Sequence, residues 1–301
     1  QVAGLLVEAQ PAYLDSLSDA CEKADLQAMV LGLAEERLAS WLNAAGVTRW
    51  VALKGTASSK MLYSDPALRQ RSDIDLLISS EQMEAVARCL EAEGLEEKTA
   101  AQHWAAAGSM PYQRTWDMKI SSLVVEVDVH RRLLRWEELT IDHDGVLDRA
   151  VRHEGSVLPL CAPEDLLLHT LAHAANEAFR VPLRSWIDVV RLIHYPTLDW
   201  SAVVHRASSW RLKPVIWAGL EVVRRWFDVA PPAGVLSTLR PSAAQALCLT
   251  RLTGSAGQHP CEIESALGRG AFRMLCRANP RDAFTHAKEA IAIRTALRLS
   301  R

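Results

Sequence analysis

Leu53-Lys54-Gly55-Thr56, then Tyr63-Ser64-Asp65-Pro66, then Arg69-Gln70-Arg71-Ser72-Asp73-Ile74-Asp75-Leu76-Leu77-Ile78 are the segments whose reading decides the fold. Trp50-Val51-Ala52-Leu53 is a short apolar run closed by Lys54-Gly55, the pattern of a buried strand running into a turn. Ala57 to Tyr63 resumes helical spacing until Asp65-Pro66 breaks it, and Ile74 to Ile78 is a second strand. Side chains on a strand alternate faces, so Asp73 and Asp75 point one way while Ile74 and Leu76 point into the core. Two like charges side by side repel, and a bound divalent cation removes that conflict. Hard cations such as magnesium prefer carboxylate oxygens, with phosphates filling further positions.

A third carboxylate is expected on a neighbouring strand. Leu123 to Val129 alternates strictly, with Val125, Val127 and Val129 on one face and Glu126, Asp128 and His130 on the other. Asp73, Asp75 and Asp128 together make a candidate catalytic and metal-binding set. Such a sheet can hold two ions about 3.5–4 Å apart, the arrangement for in-line phosphoryl or nucleotidyl displacement. Gly55, between strand and helix, lets backbone amides approach a phosphate at a helix N-terminus, and Thr56 adds a hydroxyl. Lys54, Arg69 and Arg71, with Ser72 beside them, are candidate contacts for a triphosphate, Arg71 being favoured because it shares parity with Asp73 and Asp75.

Outward from this centre, residues 1–45 read as an N-terminal helical segment and residues 81–93 as a helix closed by Gly94. From Pro163 the pattern becomes helical over 164–179, 183–194, 200–209, 214–228, 242–253 and 281–299. The predicted fold class is α+β: a small mixed sheet with helices on one side over 46–160, followed by a mostly α-helical domain over 161–301. A formal net charge of −2 lacks the basic excess that long nucleic acid demands. Six scattered cysteines without a CxxC pair fit reduced thiols in a cytoplasmic protein, and no apolar run approaches the roughly 20 residues of a membrane span.

The joint pattern resembles the DNA polymerase β-like nucleotidyltransferase superfamily. It is most similar to an uncharacterised bacterial branch built around Leu-Lys-Gly, Tyr-x-x-Pro, Arg and Asp-Ile-Asp-Leu-Leu, which Leu53 to Ile78 matches almost throughout. Val127-Asp128-Val129-His130, Leu168-His169 with His173, and Trp186-Ile187-Asp188 look like its later elements. The resemblance implies a nucleotide loop at Gly55-Thr56, metal on Asp73 and Asp75 with Asp128 completing the site, and Asp188 facing it. His130 and His173 are carried along as contacts for nucleotide or acceptor. With the carboxylate geometry, the expected cofactors are two magnesium ions, replaceable by manganese, and the expected co-substrate is an NTP, ATP first. The acceptor would be a small molecule or peptide in a natural-product or polysaccharide pathway. Thr56 stands where the superfamily usually has Ser, and Arg131 where the branch often has an aromatic residue. Two other readings share these residues: a kinase moving the γ-phosphoryl group, and a non-catalytic regulatory module. Two further spacings have bland readings. Arg184 and Asp188, four apart, make a helix ion pair, and Arg269, Arg273, Arg277 and Arg281 form a solvated stripe.

Overall fold

The computed structural model describes residues 11–98, 112–136, 139–254 and 266–277. Its centre is a five-stranded sheet: β1 (Trp50–Ala52), β2 (Asp73–Ile78), β3 (Glu96–Glu97), β4 (Gln113–Ile120) and β5 (Leu123–His130), in the order β1-β2-β5-β4-β3. Only β2 and β5 run parallel; every other neighbouring pair is antiparallel. The parallel register sets Asp73 opposite Glu126, Asp75 opposite Asp128 and Leu77 opposite His130. Because paired residues face the same way, the polar positions of two distant segments fall on one side of the sheet. The alternate residues Ile74, Leu76, Ile78, Val125, Val127, Val129, Trp116, Met118 and Ile120 are buried and make the other side.

Strand β4 lies outside the sequence reading and supplies Thr115 opposite Asp128. Its hairpin turn, Ser121-Ser122, takes a left-handed residue at Ser121 (φ +55°). Helix α1 (Pro11–Ala44) packs against β2, β4, β5 and α3 (Met83–Ala92) through Leu31, Leu38 and Leu42. Helix α2 (Lys54–Met61) begins immediately after β1, three residues earlier than expected, so Gly55 sits inside its first turn.

The C-terminal part contributes α4 (His143–Asp148), α5 (Pro163–Asn176), α6 (Leu183–Ile193), α7 (Trp200–Ser209), α8 (Lys213–Phe227), α9 (Val235–Leu239), α10 (Ala243–Leu252) and α11 (Ala266–Leu275). Helix α5 is the hub, touching α2, α6, α7 and α8. Gly219 permits the α5–α8 approach, since a Cβ there would lie 2.6 Å from Leu171 Cδ2. The helix expected at 281–299 lies outside the described residues. The arginine stripe is not a solvated face where it is described. Arg277 is buried with its guanidinium 3.8 Å from the Trp136 ring centre, and Arg273 Nε donates to Asn176 O at 2.9 Å. Among the described residues no helix is long and apolar enough to cross a membrane.

Candidate active site

The site forms where the polar side of β2 and β5 meets the start of α2 and the ends of α5 and α6. Leu53 N donates to Asp75 O at 2.9 Å, which ties the β1–α2 junction to the acidic strand. No side chain caps α2, so its first amides remain available to an anion. Lys54 opens that helix with φ +42°, a left-handed value that side chains bearing a Cβ seldom adopt. Between these elements lies a cavity of about 200 Å³ lined by Lys54, Gly55, Asp73, Asp75, His173 and Arg184 among others.

Asp75 is the focus. Its Oδ1 accepts from Lys54 Nζ at 2.6 Å and from His130 Nε2 at 2.8 Å, while the carboxylate is only 3% exposed. Burial pushes its pKa up, but Lys54 and His130 outweigh burial and hold it far below the usual carboxylate range. His130 is equally enclosed; burial and the Lys54 charge lower its pKa, while its hydrogen bond with Asp75 works the other way. Asp128 behaves oppositely. Burial pushes it up to about 6 despite the hydrogen bond from Thr115 Oγ1, and the nearby Asp75 charge adds to the rise. Two neighbouring carboxylates with pKa values driven apart are a frequent mark of a working site.

Ligand atoms of Asp75, Asp128 and His130 lie within 4.8 Å of one another and could hold a metal ion. The sequence reading pairs Asp73 with these aspartates; in the structure Asp73 stands outside that trio. It faces the same cavity, half-buried, with its pKa raised by burial and by Asp75. Buried carboxylate oxygens plus one imidazole nitrogen suit a divalent cation, and an enclosed Asp75 needs a cationic partner in any state.

The expected phosphate contacts divide into two groups. Lys54, Gly55 and Ser72 line the cavity; Thr56 is buried, its Oγ1 accepting from Arg71 Nη1 at 3.2 Å. Arg69 and Arg71 also reach the cavity but are committed to carboxylates: Arg69 to Asp188, and Arg71 to Glu35 of α1, which Lys60 holds at 3.1 Å. The Arg184–Asp188 helix pair does not form. Asp188 instead accepts from Arg69 Nε and Nη2 (2.7–2.9 Å) and from the Tyr63 hydroxyl at 2.9 Å, and burial with that charge pushes the Tyr63 pKa up to about 12. Arg184 thus lines the cavity with no carboxylate of its own among the described residues. His173 lines it too, kept neutral by burial at a pKa of about 4, with its ring 6.2 Å from that of buried His169. Glu35 and Thr115 are the residues sequence reasoning missed. Glu35 carries no motif, whereas the alternation Trp116-Asp117-Met118-Lys119-Ile120 was a usable signal for Thr115.

The Leu-Lys-Gly junction, the paired aspartates and the cavity between sheet and helices agree with what comparison finds. The chain belongs to the uncharacterised nucleotidyltransferase family, matched over residues 2–228. It is therefore a transferase, and its α+β fold with a mixed sheet is the one its sequence suggested. No curated protein matches it. Solved structures similar to this nucleotidyltransferase include ANT(2")-Ia in complex with adenylyl-2"-tobramycin, 13% identical over 61% of this chain and 97% of that one, with a TM-score of 0.41. An antigenic nucleotidyltransferase-like protein from Paracoccidioides brasiliensis is 15% identical over 71% of this chain and 93% of that one, with a TM-score of 0.42. At such scores the likeness says nothing of the site or its substrates.

Proposed function

We propose that this nucleotidyltransferase moves an NMP group from an NTP, ATP in the simplest case, to a hydroxyl on a small molecule or peptide, with magnesium at the aspartates. The observation that carries this reading is the register of β2 and β5, which sets Asp128 beside Asp75, and Asp75 lines a cavity that Asp73 and Arg184 also line. Asp75, Asp128 and His130 are the residues that would hold the ion, with Asp73 as a further carboxylate for a second one. When bound, divalent ions supply charge neutralisation at the phosphates and lower the pKa of a coordinated hydroxyl.

The chain's own groups do the rest. The α2 N-terminus, Lys54 and Arg184 hold the polyphosphate, and Gly55 keeps the first turn free of a side chain. Asp128, the more basic of the paired carboxylates, accepts the acceptor's proton as its oxygen attacks the α-phosphorus. The bond from that phosphorus to pyrophosphate breaks, and Lys54 and Arg184 neutralise the leaving group. Proton transfer of this kind contributes typically about 10²–10⁴-fold. His173 and Thr170, on α5, lie where nucleotide or acceptor would be contacted.

The reading is tested by incubating the protein with ATP, magnesium and an acceptor panel of hydroxylated metabolites and peptides, followed by mass spectrometry. The expected product gains AMP, pyrophosphate appears in equal amount, and Asp75→Asn and Asp128→Asn abolish both. A product gaining only phosphate would show the γ-phosphoryl group to be the one transferred. Absence of nucleotide binding by calorimetry at millimolar ATP and magnesium would sink both forms of catalysis.

A further inference from the structure

Asp75 Oδ1 is saturated before any ion arrives. Lys54 Nζ donates to it at 2.6 Å and His130 Nε2 at 2.8 Å, although the Asp75 carboxylate is one member of the trio that can ligate metal. An ammonium 2.6 Å from one oxygen of a buried carboxylate and a divalent cation held by that same carboxylate repel strongly, so the two compete for it. The two donors differ in freedom. The His130 ring is 1% exposed, whereas the Lys54 side chain is 22% exposed, has a flexible four-carbon stem and borders the cavity. Lys54 also holds φ +42°, backbone strain of the kind that persists where surrounding structure imposes it.

We propose that Lys54 is a tethered counter-ion which keeps Asp75 charged and paired in the metal-free protein, then yields the carboxylate to the metal and swings to the nucleotide's phosphates. This rests on the functional reading above and adds to it an order of events. Without nucleotide, the one cavity carboxylate left to a displaced Lys54 without a cation of its own among the described residues is Asp73, which an incoming ion also draws on, so metal alone binds weakly. With nucleotide present the ammonium gains a new partner, so metal and nucleotide favour each other's binding. The metal-free site is thereby guarded against stray divalent ions. Asp75 never stands as a lone buried charge, a condition that costs several kcal/mol per ion.

Manganese is the probe, because its free concentration is read directly by electron paramagnetic resonance. In Lys54→Gln the competing charge is gone while a hydrogen-bond donor remains, and nucleotide-free Mn²⁺ affinity is expected to rise at least about tenfold, equivalent to 1.4 kcal/mol. The same variant should bind a fluorescent ATP analogue at saturating Mn²⁺ about tenfold more weakly than the wild type. Lys54→Met repeats the comparison without the donor, and Lys54→Arg, which retains the charge, should keep nucleotide-free Mn²⁺ binding as weak as in the wild type. If neither neutral variant folds without metal, Mn²⁺-driven recovery of the melting transition reads the same affinity, and no recovery counts against the exchange. Unchanged or weaker Mn²⁺ binding in both neutral variants, while Asp75→Asn abolishes it, overturns the proposal and leaves the functional reading standing. Mn²⁺ binding that survives Asp75→Asn intact removes the metal site itself, and the exchange falls with it.

Discussion

Replacing Asp188 separates an architectural role from a chemical one. Its carboxylate is 3% exposed and the Arg69 side chain 7%, and they meet through three contacts of 2.7–2.9 Å. The Tyr63 hydroxyl adds a fourth at 2.9 Å. These groups join the loop before β2 to α6 across 119 residues of chain. Asp188→Ala leaves a guanidinium buried without its counter-charge, a change that costs about 3–5 kcal/mol, and the Tyr63 hydroxyl loses its acceptor. A loss of about 4 kcal/mol corresponds to a fall of about 10 °C in melting temperature for a protein of this size. The double change Arg69→Met with Asp188→Leu removes both charges and should regain most of that loss, because an apolar replacement of a buried pair is often near neutral. Urea denaturation with the m-value checked for constancy is the assay. Asp188→Ala as stable as the wild type but inactive would refute the reasoning and make Asp188 a substrate contact. A double variant no better than the single one would show that the charges are not the source of the cost.

Asp73→Asn should cut turnover at least about 100-fold, as loss of a catalytic group does, while leaving stability within about 1 kcal/mol, because burial and Asp75 already disfavour its charge. Asp75→Asn, by contrast, should lower both, since it strands Lys54; parallel denaturation and pyrophosphate-release assays check the contrast. Arg184→Ala is expected to weaken ATP-analogue binding about tenfold with no change in melting temperature, read by calorimetry and thermal denaturation. With chelator present, stability should fall as pH drops below 6.5. His143 and His173 have folded-state values lowered to about 4 by burial, so the unfolded chain binds protons first and each costs roughly 2 kcal/mol at pH 5. Asp128, raised to about 6, acts in the opposite sense and returns only about 1 kcal/mol at that pH, so the net direction is set by the histidines. Leu133 N donates to His143 Nε2 at 3.2 Å, so His143→Gln should flatten the urea-midpoint profile between pH 5 and 7; an unchanged slope removes that assignment.

Patterns with short periods were legible in the chain, and partnerships across the fold were not. Strands β2 and β5 show because apolar and polar residues alternate with a period of two, and the same alternation puts Asp75, Asp128 and His130 on one side. Parallel pairing in that register cannot be read from either strand alone, so the trio that comes together differs from the one expected. His130 enters it by standing two residues beyond Asp128, while Asp73 lies one register step away, opposite Glu126. Strand β4 escaped notice because Arg114, Asp117 and Lys119 make it look like a surface loop; Arg114 in fact lies 5.0 Å above the Trp116 ring. The pairing of Asp188 with Arg69 rather than Arg184 has an energetic reason. An exposed pair four residues apart is worth about 0.3–0.5 kcal/mol, whereas burying Asp188 unpaired would cost several times that.

That same accounting explains how the cavity is charged. Three acids have a cation supplied by the chain: Asp75 has Lys54, Asp188 has Arg69, and Glu35 has Arg71 together with Lys60. Asp73 and Asp128 have none within ion-pair distance among the described residues, and burial together with the Asp75 charge raises both pKa values. Arg184, which lines the cavity, has the opposite surplus. A substrate that satisfies Asp73 and Arg184, which line one cavity, must bring positive charge to the carboxylate and negative charge to the arginine. A nucleoside triphosphate carrying divalent cations does this, and a neutral ligand does not. Reversing the sign at one end tests the idea without touching the metal ligands. Arg184→Glu should weaken ATP-analogue binding by more than Arg184→Ala, and raising salt should narrow the gap between them, because a partly exposed charge is screened. Equal affinities for the two variants at low salt would mean that Arg184 never meets the phosphates.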